Sequence, residues 1–412
     1  MDSKTSFKMD TKKNLTIGLF IFLSIISIIR LHDNSTNLDA WQYGEWLINY
    51  QFGFVRRGLI GEIIYSISLL FDSNIKISFI LVVSSIILLF YYLNYILIKD
   101  IKFNKITLLI IFSPLLYFFF VIISKVGIKK EILFYIFYLV FLISLLKKDF
   151  TLSKCWKFIF IFQLILMIHE GMYFFLPYII IPILILSDKN KVKLILLQII
   201  ALFVLSSLTL LLLYFYKGSE NHVIEICNSL DKYAPMKCSW WGPIYALGHE
   251  LQIGPSGKSN LFFYIHNDVN AYIGFAIYIL YGFAPILFFL KYFEFDKKNI
   301  LLNKKMLIIC LSLSFLFSLP LFHFTEDWSR WFSIHLHLIT FLYFFMLRNK
   351  IINFNKNINL GNFNFLSYLI RNKIAFIIFL FLYTTSLHHH HFFFEGVRLE
   401  STYYKVYKKI SN

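Results

Sequence analysis

From Leu15 to Ile29 the chain is almost unbroken Leu, Ile, Phe and Ser, and comparable apolar runs return near residues 76–98, 106–124, 131–146, 158–186, 194–216, 269–290, 306–322, 331–347 and 373–388. Runs of roughly 17–25 apolar residues are what a helix needs to cross a bilayer. Inside lipid the backbone has no water to bond, so a spanning segment must satisfy its own N–H and C=O groups. The expected fold class is therefore all-α, a polytopic membrane helical bundle forming a single integral membrane domain over 1–412. The run Phe158–Leu186 is too long for one crossing and is interrupted by His169, Glu170 and Gly171. Splitting it there gives eleven spans, within a range of ten to twelve.

Composition agrees with the pattern. With 58% hydrophobic residues, 20% aromatic residues and a mean hydropathy of +0.67, the chain has more apolar surface than a soluble domain of its length buries. A formal charge of +17 would suit nucleic acid, but the Lys and Arg residues stand in short clusters between the apolar runs, which is how topology determinants are distributed. Nucleic acid is excluded as a partner on that ground. The leader carrying Lys4, Lys8, Lys12 and Lys13 places the N-terminus in the cytoplasm, and more than half of the 40 Lys and Arg residues then fall on cytoplasmic segments. The C-terminus is expected outside, although its VYKKISN tail has an inner-side composition. No small-residue cleavage site follows the first run, which reads as a retained helix.

Residues 217–268 form the one large expected excursion, a periplasmic loop. It holds Cys227 and Cys238, eleven positions apart, which pair if the compartment is oxidising. No CxxC pairing points to zinc, and the consecutive His388–His391 cannot all face one ion. No metal site, internal repeat, P-loop or dinucleotide fingerprint is expected.

Sorting the ends of the runs by side collects charge on the outer face. The first loop, DAWQYGEWLINYQFGFVRRGLIGE, brings Asp39, Glu45, Arg56, Arg57 and Glu62; the turn KVGIKKE brings Lys129, Lys130 and Glu131; the break brings His169 and Glu170; TEDWSRW brings Asp327 and Arg330. Ionisable groups at membrane depth are costly unless they pair or face water, so a shared outward cavity is the economical reading. Guanidinium forks match phosphate oxygens, which makes Arg56, Arg57, Lys129, Lys130 and Arg330 the candidate phosphate-binding residues. Asp39, Glu45, His169, Glu170 and Asp327 are the candidate catalytic residues, able to accept a hydroxyl proton or orient the hydroxyl, with a carboxylate favouring the charged form of His169.

Each cluster also has a plainer reading. Arg56 and Arg57 can snorkel to the headgroups of membrane lipid at the start of an interfacial helix, Arg57–Leu70. Lys129 and Lys130 can pair with Glu131, and His169 with Glu170 can be an interhelical contact. Asp327 and Arg330, three apart, can pair on one helix capped by Thr325.

Taken together, the acidic first loop, FVRRGLIGE, IKKEIL, HEG and EDWSRW resemble the Wzy-type O-antigen polymerases of bacterial surface-polysaccharide clusters, whose scaffold is similar to that of GT-C glycosyltransferases. The resemblance covers most of the chain in topology and about forty residues in motif. It lacks the paired acidic residues of a GT-C first loop, since Asp39 and Glu45 are six apart. It implies a multi-pass protein of the bacterial inner membrane in lipopolysaccharide and polysaccharide biosynthesis. The implied reaction joins undecaprenyl-pyrophosphate-linked repeat units at the periplasmic face without a cofactor, and the implied protein partners are a chain-length regulator and a flippase. Two alternatives stay open: a lipid-linked oligosaccharide flippase, or a single-sugar transferase using a polyprenyl-phosphate donor.

Overall fold

The computed structural model describes residues 3–35, 40–101, 105–119, 128–147, 151–186, 191–231, 242–248, 269–295, 303–324, 328–354 and 372–385. In chain order its helices are α1 (Ser3–Ser35), α2 (Ala40–Leu47), α3 (Leu59–Leu70), α4 (Ile75–Ile98), α5 (Lys105–Ile111), α6 (Glu131–Leu145) and α7 (Cys155–Ile168). After a 3₁₀ turn at Glu170–Phe175 come α8 (Pro177–Leu186), α9 (Val192–Phe215), α10 (Glu220–Asp231), α11 (Val269–Tyr292), α12 (Lys304–Phe324), α13 (Trp328–Arg348) and α14 (Lys373–Thr385). The all-α expectation needs one amendment: Phe293–Phe295 (β1) and Ile352–Phe354 (β2) pair as a short antiparallel ribbon, Phe293 opposite Phe354.

Among the described residues four helices, α4, α9, α13 and Lys304–His323 of α12, are long and apolar enough to cross a membrane, and shorter apolar helices accompany them. The outward faces suit lipid. On α9, Leu196, Leu197, Ile200, Val204, Leu208 and Leu211 are exposed, whereas Gln198 and Ser206 turn inward. There Gln198 donates to the Leu152 carbonyl at 2.6 Å and Gln163 to the Ser206 hydroxyl at 3.3 Å. The Gln198 amide N–H and the Ser206 hydroxyl, which would be costly against hydrocarbon, are thus bonded inside.

The chain divides into two compact units. The first comprises Met1–Lys99, Val126–Gln252 and Asn299–Ser318. In it α4 packs on α1, α3 and α6, and α7 packs on α6 and α9. Tyr91 of α4 meets Ser27 of α1 at 3.2 Å in the buried seam. The break expected near His169 is present: α7 stops at Ile168 and His169 is extended, with φ −156° and ψ 103°. In the 217–268 segment, α10 packs on a short turn at Tyr245–Leu247. Cys227 is disulfide-bonded, Cys155 and Cys310 are free, and Cys238 lies outside the described residues.

The second unit comprises Asp100–Lys125, Ile253–Lys298 and Leu319–Asn412. Here the structure departs from the expected crossing at 106–124. Helix α5 ends at Ile111, shortly before Pro114, because proline offers no N–H and disfavours a helical residue before it. The freed carbonyls are taken by side chains: Thr384 of α14 donates to Phe112 at 2.9 Å and Ser333 of α13 to Leu115 at 2.8 Å. Ser113 in turn donates to Gly282 of α11 at 2.8 Å. Helix α13 is almost wholly buried.

Candidate functional site

Several charged groups of the first unit converge on the loop between α2 and α3 and the end of α2. The end of α2 and residues 48–58 are held from several sides. The Trp46 indole N–H donates to the Ile128 carbonyl at 2.8 Å, the Arg56 N–H donates to the Tyr216 carbonyl at 2.9 Å, and Asn49 donates to Ser229 of α10 at 3.1 Å. Glu62, in the first turn of α3, accepts from the Tyr50 N–H at 2.8 Å. Glu62 therefore braces the loop and stands apart from the charged cluster.

Two groups of ions sit within this frame. In the first, Glu170 accepts from Arg57 Nε at 2.8 Å through Oε2 and from Nη2 at 2.7 Å through Oε1, with Arg56 Nη1 at 3.5 Å. Arg57 takes the left-handed backbone, φ 64°, which a side chain other than glycine adopts only under constraint. Lys130 Nζ, on a side chain that is almost fully buried, donates to the Arg57 carbonyl at 2.7 Å. Burial pushes the Lys130 ammonium down to about 7, against the pull of Glu45, Glu170 and Glu131. Arg56 is also held below its ordinary value, first by burial and then by Arg57, with Glu170 opposing.

The second group is buried deeper. His169 Nε2 lies 3.5 Å from Glu45 Oε1 and 3.4 Å from Glu131 Oε1, and Lys129 Nζ lies 3.4 Å from Glu45 Oε2. The Gly171 N–H donates to His169 Nδ1 at 3.1 Å, so His169 caps the 3₁₀ turn with its own ring. Glu45, Glu131 and His169 offer ligand atoms all within 4.8 Å of one another, the spacing at which a metal ion becomes conceivable.

Seven of the residues singled out in the sequence thus meet in one place: Glu45, Arg56, Arg57, Lys129, Lys130, His169 and Glu170. Their partners differ from the expected ones. Glu170 serves the arginines, not His169, and Glu131 faces the His169 ring as well as standing beside the lysines. Glu131 was visible in KVGIKKE only as a salt-bridge partner; its depth came from the packing of α6. Arg330 belongs to the second unit, where its buried guanidinium lies 4.9 Å over the Trp331 ring. Asp39, Thr325, Asp327 and the His388–His391 tract lie outside the described residues. In and around the cluster, Arg56 Nε and the Tyr50 hydroxyl are buried without a hydrogen-bond partner, and Glu45 Oε1 accepts no hydrogen bond. The Tyr50 hydroxyl is pushed up to about 12 by burial and then by Glu62.

Fold and site together define an α-helical membrane protein with a charged cluster built on the loop between α2 and α3. The chain belongs to the family described as uncharacterised membrane protein Rv1490, whose profile matches residues 14–240. That segment contains every member of the cluster. No curated protein and no solved structure matches the chain.

Proposed function

We propose that this protein is a membrane glycosyltransferase that moves a glycan from a polyprenyl-pyrophosphate carrier to an acceptor sugar hydroxyl, in the manner of an O-antigen polymerase. The proposal places it in the bacterial inner membrane with eleven crossings and the cluster on the periplasmic side. The disulfide at Cys227 supports an oxidising compartment for the 217–268 segment.

The observation that carries the reading is the Arg56–Arg57 pair, with Arg56 Nε still unused, beside a buried carboxylate–histidine group. A glycosyl transfer of this kind needs cations where the pyrophosphate leaves and a base where the hydroxyl attacks. Arg56, Arg57 and Lys130 supply the first, and the Glu45–His169 group supplies the second. Glu170 holds the arginines in place until phosphate oxygens compete for them. Arg330 and Asp327 remain candidates from the second unit.

The test is deletion of the gene followed by electrophoresis of the surface glycan. Single-repeat material in place of a ladder supports polymerisation. Complete loss of surface glycan sinks the polymerase reading and favours a flippase or an earlier single-sugar transferase. Purified protein that lengthens a polyprenyl-pyrophosphate oligosaccharide in liposomes separates transfer from flipping.

A further inference from the structure

His169 stands between two carboxylates and one backbone N–H, and the N–H decides what the ring can do. The bond from Gly171 to Nδ1 at 3.1 Å exists because the first N–H groups of a helical turn have no carbonyl partner within it, and the residue opening the turn is placed to supply an acceptor. An N–H cannot donate to a nitrogen that carries its own hydrogen. Nδ1 therefore holds a lone pair, and the ring proton of neutral His169 is on Nε2. Nε2 lies 3.4 Å from Glu131 Oε1 and 3.5 Å from Glu45 Oε1, and Glu45 Oε1 accepts no hydrogen bond.

We infer that His169 is a fixed neutral group whose Nε2–H side faces the Glu45–Glu131 pair, and that this carboxylate pair, not the imidazole, receives the proton of the acceptor hydroxyl. The inference rests on the transferase reading and adds Glu131 to its machinery.

Two other roles fail on the same bond. As a base, His169 has no usable lone pair: Nε2 already carries hydrogen and the lone pair of Nδ1 is engaged by Gly171. As part of a metal site with Glu45 and Glu131, it would have to coordinate through Nε2, and histidine ligands ordinarily donate a hydrogen bond from the other nitrogen. Here the other nitrogen accepts one. Lys129, 3.4 Å from Glu45 Oε2, already brings positive charge to the carboxylates. Glu170, on the turn, also acts on the ring through its charge.

The chemistry balances without a co-reactant. The acceptor O–H bond breaks and its proton passes to a carboxylate oxygen. The acceptor oxygen bonds to the sugar carbon as the bond from that carbon to the pyrophosphate oxygen breaks, and the electron pair leaves with the pyrophosphate.

The experiment compares full-length variants in liposomes and reads the protein by spectroscopy. His169→Ala should lower the transfer rate about tenfold or more, and His169→Gln, which restores an N–H donor but cannot act as a base, should recover most of it with the pH–rate profile of the wild type. Glu45→Gln and Glu131→Gln should each lose about a hundredfold, the usual scale for a lost acid–base group. A His169→Gln variant that inserts normally and is as inactive as His169→Ala overturns the inference, and so does a fully active Glu131→Gln. Two readouts do not depend on activity. Nitrogen-15 NMR of histidine-labelled protein in nanodiscs, assigned with His169→Gln, should show the Nε2–H tautomer at the pH of the transfer assay; the Nδ1–H tautomer or the imidazolium overturns it. Stoichiometric zinc or manganese in the purified protein, lost in His169→Gln, overturns it too. A wild type without transfer activity defeats the proposed function alone, since the tautomer and metal measurements still decide the state of His169.

Discussion

Arg57 grips Glu170 with two nitrogens, Nη2 at 2.7 Å and Nε at 2.8 Å, from a backbone at φ 64°. A left-handed residue other than glycine costs on the order of 1–3 kcal/mol and persists only where its surroundings over-determine it. The surroundings here are the Glu170 carboxylate on the side chain and the Lys130 ammonium on the carbonyl. A carboxylate and a phosphate present the same pair of oxygens to a guanidinium. Glu170 thus keeps a phosphate-shaped fork assembled, and in the proposed reaction it competes with the substrate for that fork.

Removing the competitor should separate stability from binding. Glu170→Gln leaves two partly buried cations with a weaker acceptor, and should lower stability by about 1–3 kcal/mol. Added inorganic pyrophosphate should then raise the melting temperature of the variant more than that of the wild type. If pyrophosphate shifts neither protein, the fork is a structural ion pair and nothing more.

Lys130 gives a pH dependence with a definite sign. Its amine titrates at about 7 when folded against 10.5 as the ordinary value, so between those limits the unfolded chain binds a proton that the folded chain lacks. Stability then rises with pH across that window, by at most about 1.4 kcal/mol per pH unit, and the penalty for burying the group is fully present below about pH 7. Lys130→Met removes the titration along with the hydrogen bond to Arg57. The melting temperature of the wild type should climb relative to the variant from pH 7 to 10 in detergent. A difference independent of pH would mean that the carboxylates keep the ammonium charged.

The sequence makes the fold class legible because lipid enforces a simple rule, long apolar runs, and because His169-Glu170-Gly171 breaks one of them. It hides the break at Ile111, where one proline acts inside an otherwise continuous run and the repair comes from Ser333 and Thr384, more than two hundred residues away. It also hides the β1–β2 ribbon, which is short and flanks two helices. For the cluster, the residue types were readable at Glu45, Arg56, Arg57, Lys129, Lys130, His169 and Glu170. The pairing was not, because sequence adjacency suggests His169 with Glu170 and Lys130 with Glu131. The extended backbone at His169 sends the ring toward Glu45 and Glu131 while Glu170 meets the loop arginines.

Gly61 tests how closely the loop must approach α3. A Cβ at this position would overlap the Ile48 carbonyl oxygen and carbon, both backbone atoms that Glu62 and its contacts hold in register. Gly61→Ala should therefore cost about 3 kcal/mol or more, at the upper end for overpacking. At Gly58 the neighbour is the Tyr50 ring, a side chain able to turn, and Gly58→Ala should cost less. Comparable loss of folded protein from both variants in a fluorescence-detected size-exclusion assay would contradict this ordering.

The sharpest functional prediction concerns Arg56 and Arg57. If they neutralise a departing pyrophosphate, Arg56→Ala and Arg57→Ala should each cost about 2–4 kcal/mol of transition-state stabilisation, or roughly thirty-fold to a thousand-fold in rate, while the protein still inserts. Lysine should restore only part of the activity at Arg57, because an ammonium cannot present Nε and Nη2 side by side to two oxygens. At Arg56, which touches Glu170 through one nitrogen at 3.5 Å, lysine should restore more. Headgroup snorkelling predicts instead that lysine substitutes fully at both positions and that alanine mainly lowers expression. Glycan chain length and protein abundance should be measured together for the four single variants and for the Arg56→Ala/Arg57→Ala double variant. Glycan of normal length from the double variant at ordinary abundance would show that these arginines do not hold the substrate.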